Sequence, residues 1–351
     1  MQRPLIYIQT TDAFRKFKDG VKGCALVGID TEFDRTCTYW PDLCLLQIAT
    51  SKAVFVIEPS AFDLPWLTNF MADKTVTKIF HSCRQDLEAF YALFGTIPQN
   101  VFDTQVAAVL VDMGDQISYA DLCQQLLQVN LCKDFQFSNW AARPLSSQQI
   151  SYAADDARYL MVLHQTLTDQ LAATGRQELM RNIMGIYEDL GTYKKNARRY
   201  FMNKIYQPSM TLDYACALYQ LTEWREQYCQ THNIMRRLVF EDKDIDRIMQ
   251  GRETSTQEIP VFLKVKHIGH SIKTMNTKIK RTLASLKIPM HYVTTQDMII
   301  DFLLYPSHEE NPLFNTWRYK LIESCADKLL MIKSKFQAEQ NQGKNGNKDI
   351  G

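Results

Sequence analysis

Two carboxylates, Asp30 and Glu32, stand two residues apart at the end of the apolar run ALVGIDTEF. Such a run reads as a buried strand, and residues i and i+2 of a strand share one face. Farther along, Asp86 lies in IFHSCRQDLEAF, and Tyr152 and Asp156 lie four apart in ISYAADDARYL. A spacing of four stacks the phenol and the carboxylate on one side of a helix. Four acids that converge on one point repel one another unless cations sit between them, and oxygen-only ligands suit Mg²⁺ or Mn²⁺. Two such ions bridged by carboxylates promote in-line attack on a phosphodiester.

Each of these residues also has a plainer reading. Asp30 and Glu32 could belong, with Asp34, to a strand-end turn. Asp86 could be a first-turn carboxylate favoured by the helix dipole. Asp155 turns about 100° away from Asp156 on a helix and reads as surface. Asp103 in FDTQ is expected to cap a helix rather than ligate metal. His81, five residues before Asp86, reads as a hydrogen-bonded structural histidine. Gln47 and Cys44 read as packing residues.

The elements that must position these groups are legible in outline. ALVGIDTEF, LCLLQIAT and AVFVIEP read as three consecutive strands, and VTKIFHSC as a fourth. LPWLTNFMAD and RQDLEAFYALFG read as helices, the second closed by Gly95. NVFDTQVAAVLVD reads as a strand entering a helix at Asp103, and SYADLCQQLL as a helix capped by Ser118. SSQQISYAADDARYLMVLHQTLTDQL reads as one long amphipathic helix after Pro144. Strands first, then alternating strands and helices, predict a mixed sheet flanked by helices.

The chain has 351 residues, enough for two or three domains. No run of about 18 apolar residues exists and the N-terminus shows no secretion signal, so neither a membrane partner nor export is expected. Nine scattered cysteines, none in C-x-x-C, read as reduced thiols of a cytoplasmic protein. The net charge of +1 hides an asymmetry. Residues 1–175 hold 13 Lys+Arg and 19 Asp+Glu, a net of −6; residues 176–351 hold 27 and 20, a net of +7. An acidic half that needs cations joined to a basic half that can hold phosphates fits a nuclease with an attached nucleic-acid-binding part.

DTEF, TYWPDLCLLQIA, HSCRQDLEAF, FDTQVAA and WAARPLSSQQISYAADDARYL follow one another in an order that resembles the DEDD exonuclease superfamily, in its tyrosine-bearing branch, and most closely the ribonuclease D family. The resemblance covers residues 4 to 170 and implies a ribonuclease H-like α/β exonuclease domain. It implies that Asp30 bridges two divalent cations, that Glu32 and Asp156 complete the ion holding the attacking water, that Asp86 serves the second ion, and that Tyr152 orients the water. The implied reaction is hydrolysis of RNA from its 3′ end with release of nucleoside 5′-monophosphates, acting on tRNA precursors and other structured RNAs. A 3′→5′ exodeoxyribonuclease and a non-catalytic nucleic-acid-binding scaffold are the alternatives; no obligate protein partner is implied. Phe33 and Tyr39 could stack on the terminal base, with core packing the alternative for Tyr39. In LCKDFQFSNW, Lys133, which could contact RNA, and Trp140 match a family phrase, whereas Phe137 and Asn139 replace an arginine and an aspartate.

The second half is expected to be helical. Residues 176–207 read as a connector, whose cluster Lys194, Lys195, Arg198 and Arg199 could hold phosphates, with Arg236, Arg237 and KIKR at 278–281 adding charge. Leu218, Leu221, Trp224 and Arg225, with an acidic phrase around Asp244–Ile248, resemble an HRDC domain over 208–290. A degenerate second HRDC-like region is expected over 291–336 and a disordered tail over 337–351. The alternative for the basic clusters is a solvated helix face.

Overall fold

The computed structural model describes residues 3–207, 209–244, 268–304, 311–314 and 316–345. Ile248, and with it most of the acidic phrase, lies outside the described residues. The chain divides into two compact units, Met1–Lys194 and Lys195–Gly351.

In the first unit the apolar runs pair into one mixed sheet. Its strands are β1 (Leu5–Ile8), β2 (Leu26–Asp34), β3 (Asp42–Ala49), β4 (Val54–Ile57), β5 (Thr77–Phe80) and β6 (Val101–Asp103), in the order β1-β4-β3-β2-β5-β6. Short links fold β2, β3 and β4 back on one another, so β3 runs antiparallel to both neighbours. Helices α2 (Leu64–Ala72) and α3 (Arg84–Phe94) carry the longer crossovers that parallel strands need, and β5 pairs parallel with β2 and β6. This is the ribonuclease H-like arrangement expected. Strand β1 and the helix after it, α1 (Thr11–Val21), are not in the sequence reading. The strand is a four-residue edge, and the helix hides its apolar stripe, Phe14, Phe17 and Val21, among charges.

The remaining helices of this unit are α4 (Thr104–Leu110), α5 (Tyr119–Leu127), α6 (Ser147–Arg158), α7 (Leu160–Ala173) and α8 (Gln177–Tyr187). Ser118 caps α5, accepting from Asp121 N at 3.2 Å, and Gly95 closes α3 at φ 69°. The single long helix expected after Pro144 is corrected to two, α6 and α7, divided at Tyr159. The cause is a hydroxyl from elsewhere in the chain. Tyr119 Oη donates to Asp155 O at 3.1 Å and accepts from Tyr159 N at 3.1 Å, so it occupies the place of one i→i+4 backbone bond. A side chain inserted into that ladder is a recognised cause of helix interruption.

Helix α6 lies on the sheet through small residues. Ala153, Ala154 and Ala157 pack with Leu45, Ala49, Val54 and Val56. Gly28 of β2 brings the two backbones into direct contact: a Cβ there would lie 2.9 Å from Ala157 O and 2.9 Å from Leu160 Cβ. Gly28→Ala must therefore push the α6–α7 junction outward. Overpacking of this kind costs roughly 1–3 kcal/mol. Because Asp156 precedes Ala157, specific activity per folded molecule should fall as well. Wild-type turnover in a folded Gly28→Ala protein would show that the junction tolerates displacement.

The second unit is helical: α9 (Ala197–Lys204), α10 (Leu212–His232), α11 (Arg236–Val239), α12 (Ile268–Ala284), α13 (Gln296–Leu304) and α14 (Trp317–Asn345). Helix α10 buries Ala215, Leu218, Leu221 and Cys229. The fully buried Arg225 donates to Phe240 O at 2.9 Å and Asp242 Oδ1 at 2.7 Å. This all-helical region is consistent with an HRDC-like domain. Helix α14 continues into residues 337–345, where the sequence predicts a disordered tail. The helix is anchored by Leu329 and Phe336, and Gln337, Ala338 and Glu339 favour its continuation. Among the described residues no helix is long and apolar enough to cross a membrane.

Candidate active site

Strand β2 presents Asp30 and Glu32 on one face, opposite Gln47 and Leu45 of β3. The ladder slips between Glu32 and Phe33, where Phe33 pairs with Leu43 and leaves Cys44 as an extra residue. Such bulges re-aim side chains beside functional sites. Helix α6 brings Asp156 to the same place: oxygens of Asp30, Glu32 and Asp156 all lie within 4.8 Å of one another. Asp86 approaches from the first turn of α3 and stands outside this trio. Thr31, which alternation turns to the opposite face from its two acidic neighbours, donates to Asp86 Oδ1 at 2.5 Å.

Asp103 fixes the entry to α3. It caps α4 as expected, Oδ1 accepting from Gln105 N at 2.8 Å and Val106 N at 3.3 Å. It also accepts from Ser82 N at 3.0 Å and Cys83 N at 2.7 Å, holding Ser82 at a φ of 60°. One carboxylate thus shapes both the β5–α3 turn and the start of α4. His81 is structural, as expected: Nδ1 meets Thr104 Oγ1 at 2.9 Å and Nε2 meets Ile117 O at 3.1 Å. Burial lowers its pKa, which keeps the imidazole neutral.

The electrostatics of the acids share one signature. Burial, followed by the charges of Asp156, Asp86 and Glu32, raises the Asp30 carboxyl well above the usual range. Glu32 is pushed up to about 9 by burial and by Asp156 and Asp86. Asp86 rises to about 7 through burial, against the opposing pull of the Thr31 hydroxyl. Asp156 also rises to about 7 through burial, restrained by the Tyr152 hydroxyl turned toward it. Tyr152 is raised by burial and then by Asp156, Glu32 and Asp30, so its phenol stays protonated at neutral pH. Its ring stacks on the buried Trp140 at 6.1 Å and meets Phe135 at 6.0 Å.

The donor set fits a hard divalent cation. The converging ligands are all carboxylate oxygens; burial, reinforced at Asp30 and Glu32 by the neighbouring acids, raises all three, and a bound cation would offset both effects. Gln47, the residue paired with Asp30 across the sheet, is fully buried, and neither of its amide atoms has a partner among the described residues.

The outer residues divide. Phe33 is partly exposed, with the Arg35 guanidinium over its ring at 5.2 Å. Tyr39 is buried, 8% exposed, against Trp40 at 5.2 Å, so the packing alternative replaces a role as base platform. Lys133 is exposed and pairs with Asp121 at 3.5 Å. Lys194 is exposed and Lys195 half-buried. Arg198 and Arg199 are engaged within their own unit, with Asp301 at 3.0 Å and Asp297 at 2.6 Å on α13. Nothing local in the sequence marks Thr31, Phe135, Tyr119 or the second half of Asp103's role. The alternation that pairs Asp30 with Glu32 also turns Thr31 away from them, but its partner lies 55 residues on and leaves no local signal.

Comparison with known proteins identifies the family and the fold. A 3′–5′ exonuclease family model matches residues 5–172. Ribonuclease D of Gluconacetobacter diazotrophicus is 35% identical over 266 residues, covering 75% of this chain and 67% of the relative. Ribonuclease D of Granulibacter bethesdensis is 38% identical over 69% of this chain and 61% of its own length. That of Bartonella henselae is 28% identical over 88% and 86%. The crystal structure of Escherichia coli RNase D superposes with a TM-score of 0.76, covering 94% of this chain and 99% of that one, at 21% identity, which shows a common fold. The chain belongs to the ribonuclease D family, and the domain that gathers Asp30, Glu32 and Asp156 is its 3′–5′ exonuclease, a hydrolase of the exoribonuclease class.

Proposed function

We propose that this protein hydrolyses RNA stepwise from the 3′ end, releases nucleoside 5′-monophosphates and trims structured RNAs such as tRNA precursors, using two divalent cations, Mg²⁺ or Mn²⁺. The observation that carries the reading is the convergence of three carboxylates within 4.8 Å, all with raised pKa values. Asp30, Glu32 and Asp156 would hold one cation, and Asp30 with Asp86 the second, Asp86 directly or through water. When bound, such cations supply positive charge to the entering and leaving oxygens of the phosphodiester. Tyr152, protonated and fixed by Trp140 and Phe135, orients the attacking water through its hydroxyl and does not serve as a base.

The terminal base is given a platform by Phe33 and by Phe137. The latter is 94% exposed, two residues from the Phe135 that touches Tyr152. Aromatic faces accept any base. Phosphates farther along the RNA suit the exposed Lys194 and the exposed Lys273, Lys280 and Arg281 of α12, whereas Arg198 and Arg199 keep their internal partners.

The test uses a tRNA carrying a 3′ extension and a 5′ label, beside single-stranded DNA of equal length. The expected result is a stepwise ladder and 5′-monophosphates with Mg²⁺ or Mn²⁺, none with EDTA, and slower loss of the DNA. Internal fragments appearing first, or full activity in chelator, would overturn the reading.

A further inference from the structure

We infer that Tyr119 is a positioning residue for Asp156, its hydroxyl inserted into the helix backbone to set the direction in which that carboxylate leaves the α6–α7 junction. The inference rests on the proposed cation-holding role of Asp156.

The residues between Asp155 and Tyr159 form the turn that carries Asp156. In an uninterrupted helix, Asp155 C=O would accept directly from Tyr159 N–H. Here both groups bond instead to one phenol oxygen, at 3.1 Å each. A hydroxyl with one proton and two lone pairs can satisfy donor and acceptor together, so the turn is opened at no loss of hydrogen bonding. The opened turn is held from other sides as well. Arg3 donates to Arg158 O, Arg158 Nη1 donates to Arg3 O at 2.8 Å, and Arg158 Nε meets Asp155 Oδ1 at 2.6 Å. On the strand side, Gly28 lets Ala157 O approach where any Cβ would collide.

Tyr119 itself is not free to leave. Its ring lies 5.6 Å from that of His81, which Thr104 and Ile117 fix through both nitrogens. The tyrosine begins α5, whose N-cap, Ser118, is in place. Packing accounts for the ring; it does not account for the hydroxyl. A phenylalanine would fill the same space, and the turn would then close to an ordinary helical bond or leave Asp155 C=O without its donor and Tyr159 N–H with Ala157 O alone. Either outcome rotates Asp156 relative to Asp30 and Glu32, which sit on a strand that does not move with it.

The experiment compares wild type, Tyr119→Phe and Asp156→Asn. Mg²⁺ binding to the free protein is measured by calorimetry without RNA, and kcat and KM with a short oligoribonucleotide. Loss of a group that orients a metal ligand costs about 10- to 100-fold in affinity or activity. Tyr119→Phe should therefore bind Mg²⁺ about 10-fold more weakly and lose about 10-fold in kcat, with KM within about twofold of wild type. A purely structural role would lower the melting temperature and leave Mg²⁺ affinity and kcat per folded molecule unchanged, which would overturn the proposal. A Tyr119→Phe chain that does not fold would overturn it too, by making the hydroxyl a folding requirement. Asp156→Asn separates this from the underlying reading: if it keeps wild-type Mg²⁺ affinity and turnover, the cation-holding role fails. If it is inactive while Tyr119→Phe matches wild type, only the positioning role fails.

Discussion

Asp30→Asn is expected to lower turnover by about 10³-fold or more and, in the same protein, to raise the melting temperature of the cation-free form. On the proposed two-cation reading, the loss follows from removing the carboxylate that would be shared between both cations. Several kcal/mol of transition-state charge stabilisation are at stake, at about 1.4 kcal/mol per tenfold in rate. The gain follows from the environment. Asp30 is held in a buried site with Asp156, Asp86 and Glu32 around it, and all four factors oppose its ionisation. An amide of the same shape removes that repulsion, a familiar exchange of stability against activity. Tyr152→Phe should behave differently, slowing turnover while Mg²⁺ affinity stays near that of wild type. The assignment fails if Asp30→Asn retains near-normal turnover, or if Tyr152→Phe abolishes metal binding.

The second large effect couples cation binding to pH. Folding raises Glu32 to about 9 and Asp86 and Asp156 to about 7. In the unfolded chain these groups titrate near 4. Between about pH 4 and those raised values the folded protein binds more protons than the unfolded one, so this contribution to stability is present in full at low pH and is lost as pH rises. Cations reverse the balance, because they bind the deprotonated carboxylates and displace the protons. Mg²⁺ at about 100 times its Kd stabilises the folded state by about 2.7 kcal/mol. For a domain of this size that is a rise of roughly 5–10 °C. The rise should be distinctly larger at pH 8.5 than at pH 6 at equal total Mg²⁺, and titration at pH 7 should release protons, measured in buffers of different ionisation enthalpy. Equal thermal shifts at both pH values and no proton release would mean that the carboxylates are already ionised in the cation-free protein.

What could be read from the sequence was whatever is encoded locally. Period-two alternation placed Asp30 beside Glu32, and the four-residue spacing placed Tyr152 beside Asp156, because both signals lie within one element. Strands β2 to β6 and the caps Ser118, Gly95 and Asp103 were legible for the same reason. The features missed are set by residues distant in the chain. Helix α6 stops because of Tyr119, 36 residues earlier, and nothing in ISYAADDARYL announces it. Asp103 showed its own helix but not the turn at Ser82 that it also holds. Arg198 and Arg199 looked like open phosphate contacts because their partners, Asp301 and Asp297, lie about a hundred residues on. Tyr39 shows why an aromatic residue near a site is ambiguous, since base stacking and core packing ask for the same side chain.

The contact at Gly28 gives the site a dependence on a residue that supplies no atom to the chemistry. Every other amino acid adds a Cβ there, so every substitution meets Ala157 O and Leu160 before its own character matters. In an exhaustive substitution scan scored by activity, position 28 should therefore be as intolerant as Asp30 and Asp156. A map of intolerance taken as a map of catalysis would place a catalytic group where there is only an absence of one. Size-ordered response separates the two: loss at position 28 should deepen with side-chain volume, whereas loss at Asp30 should follow charge.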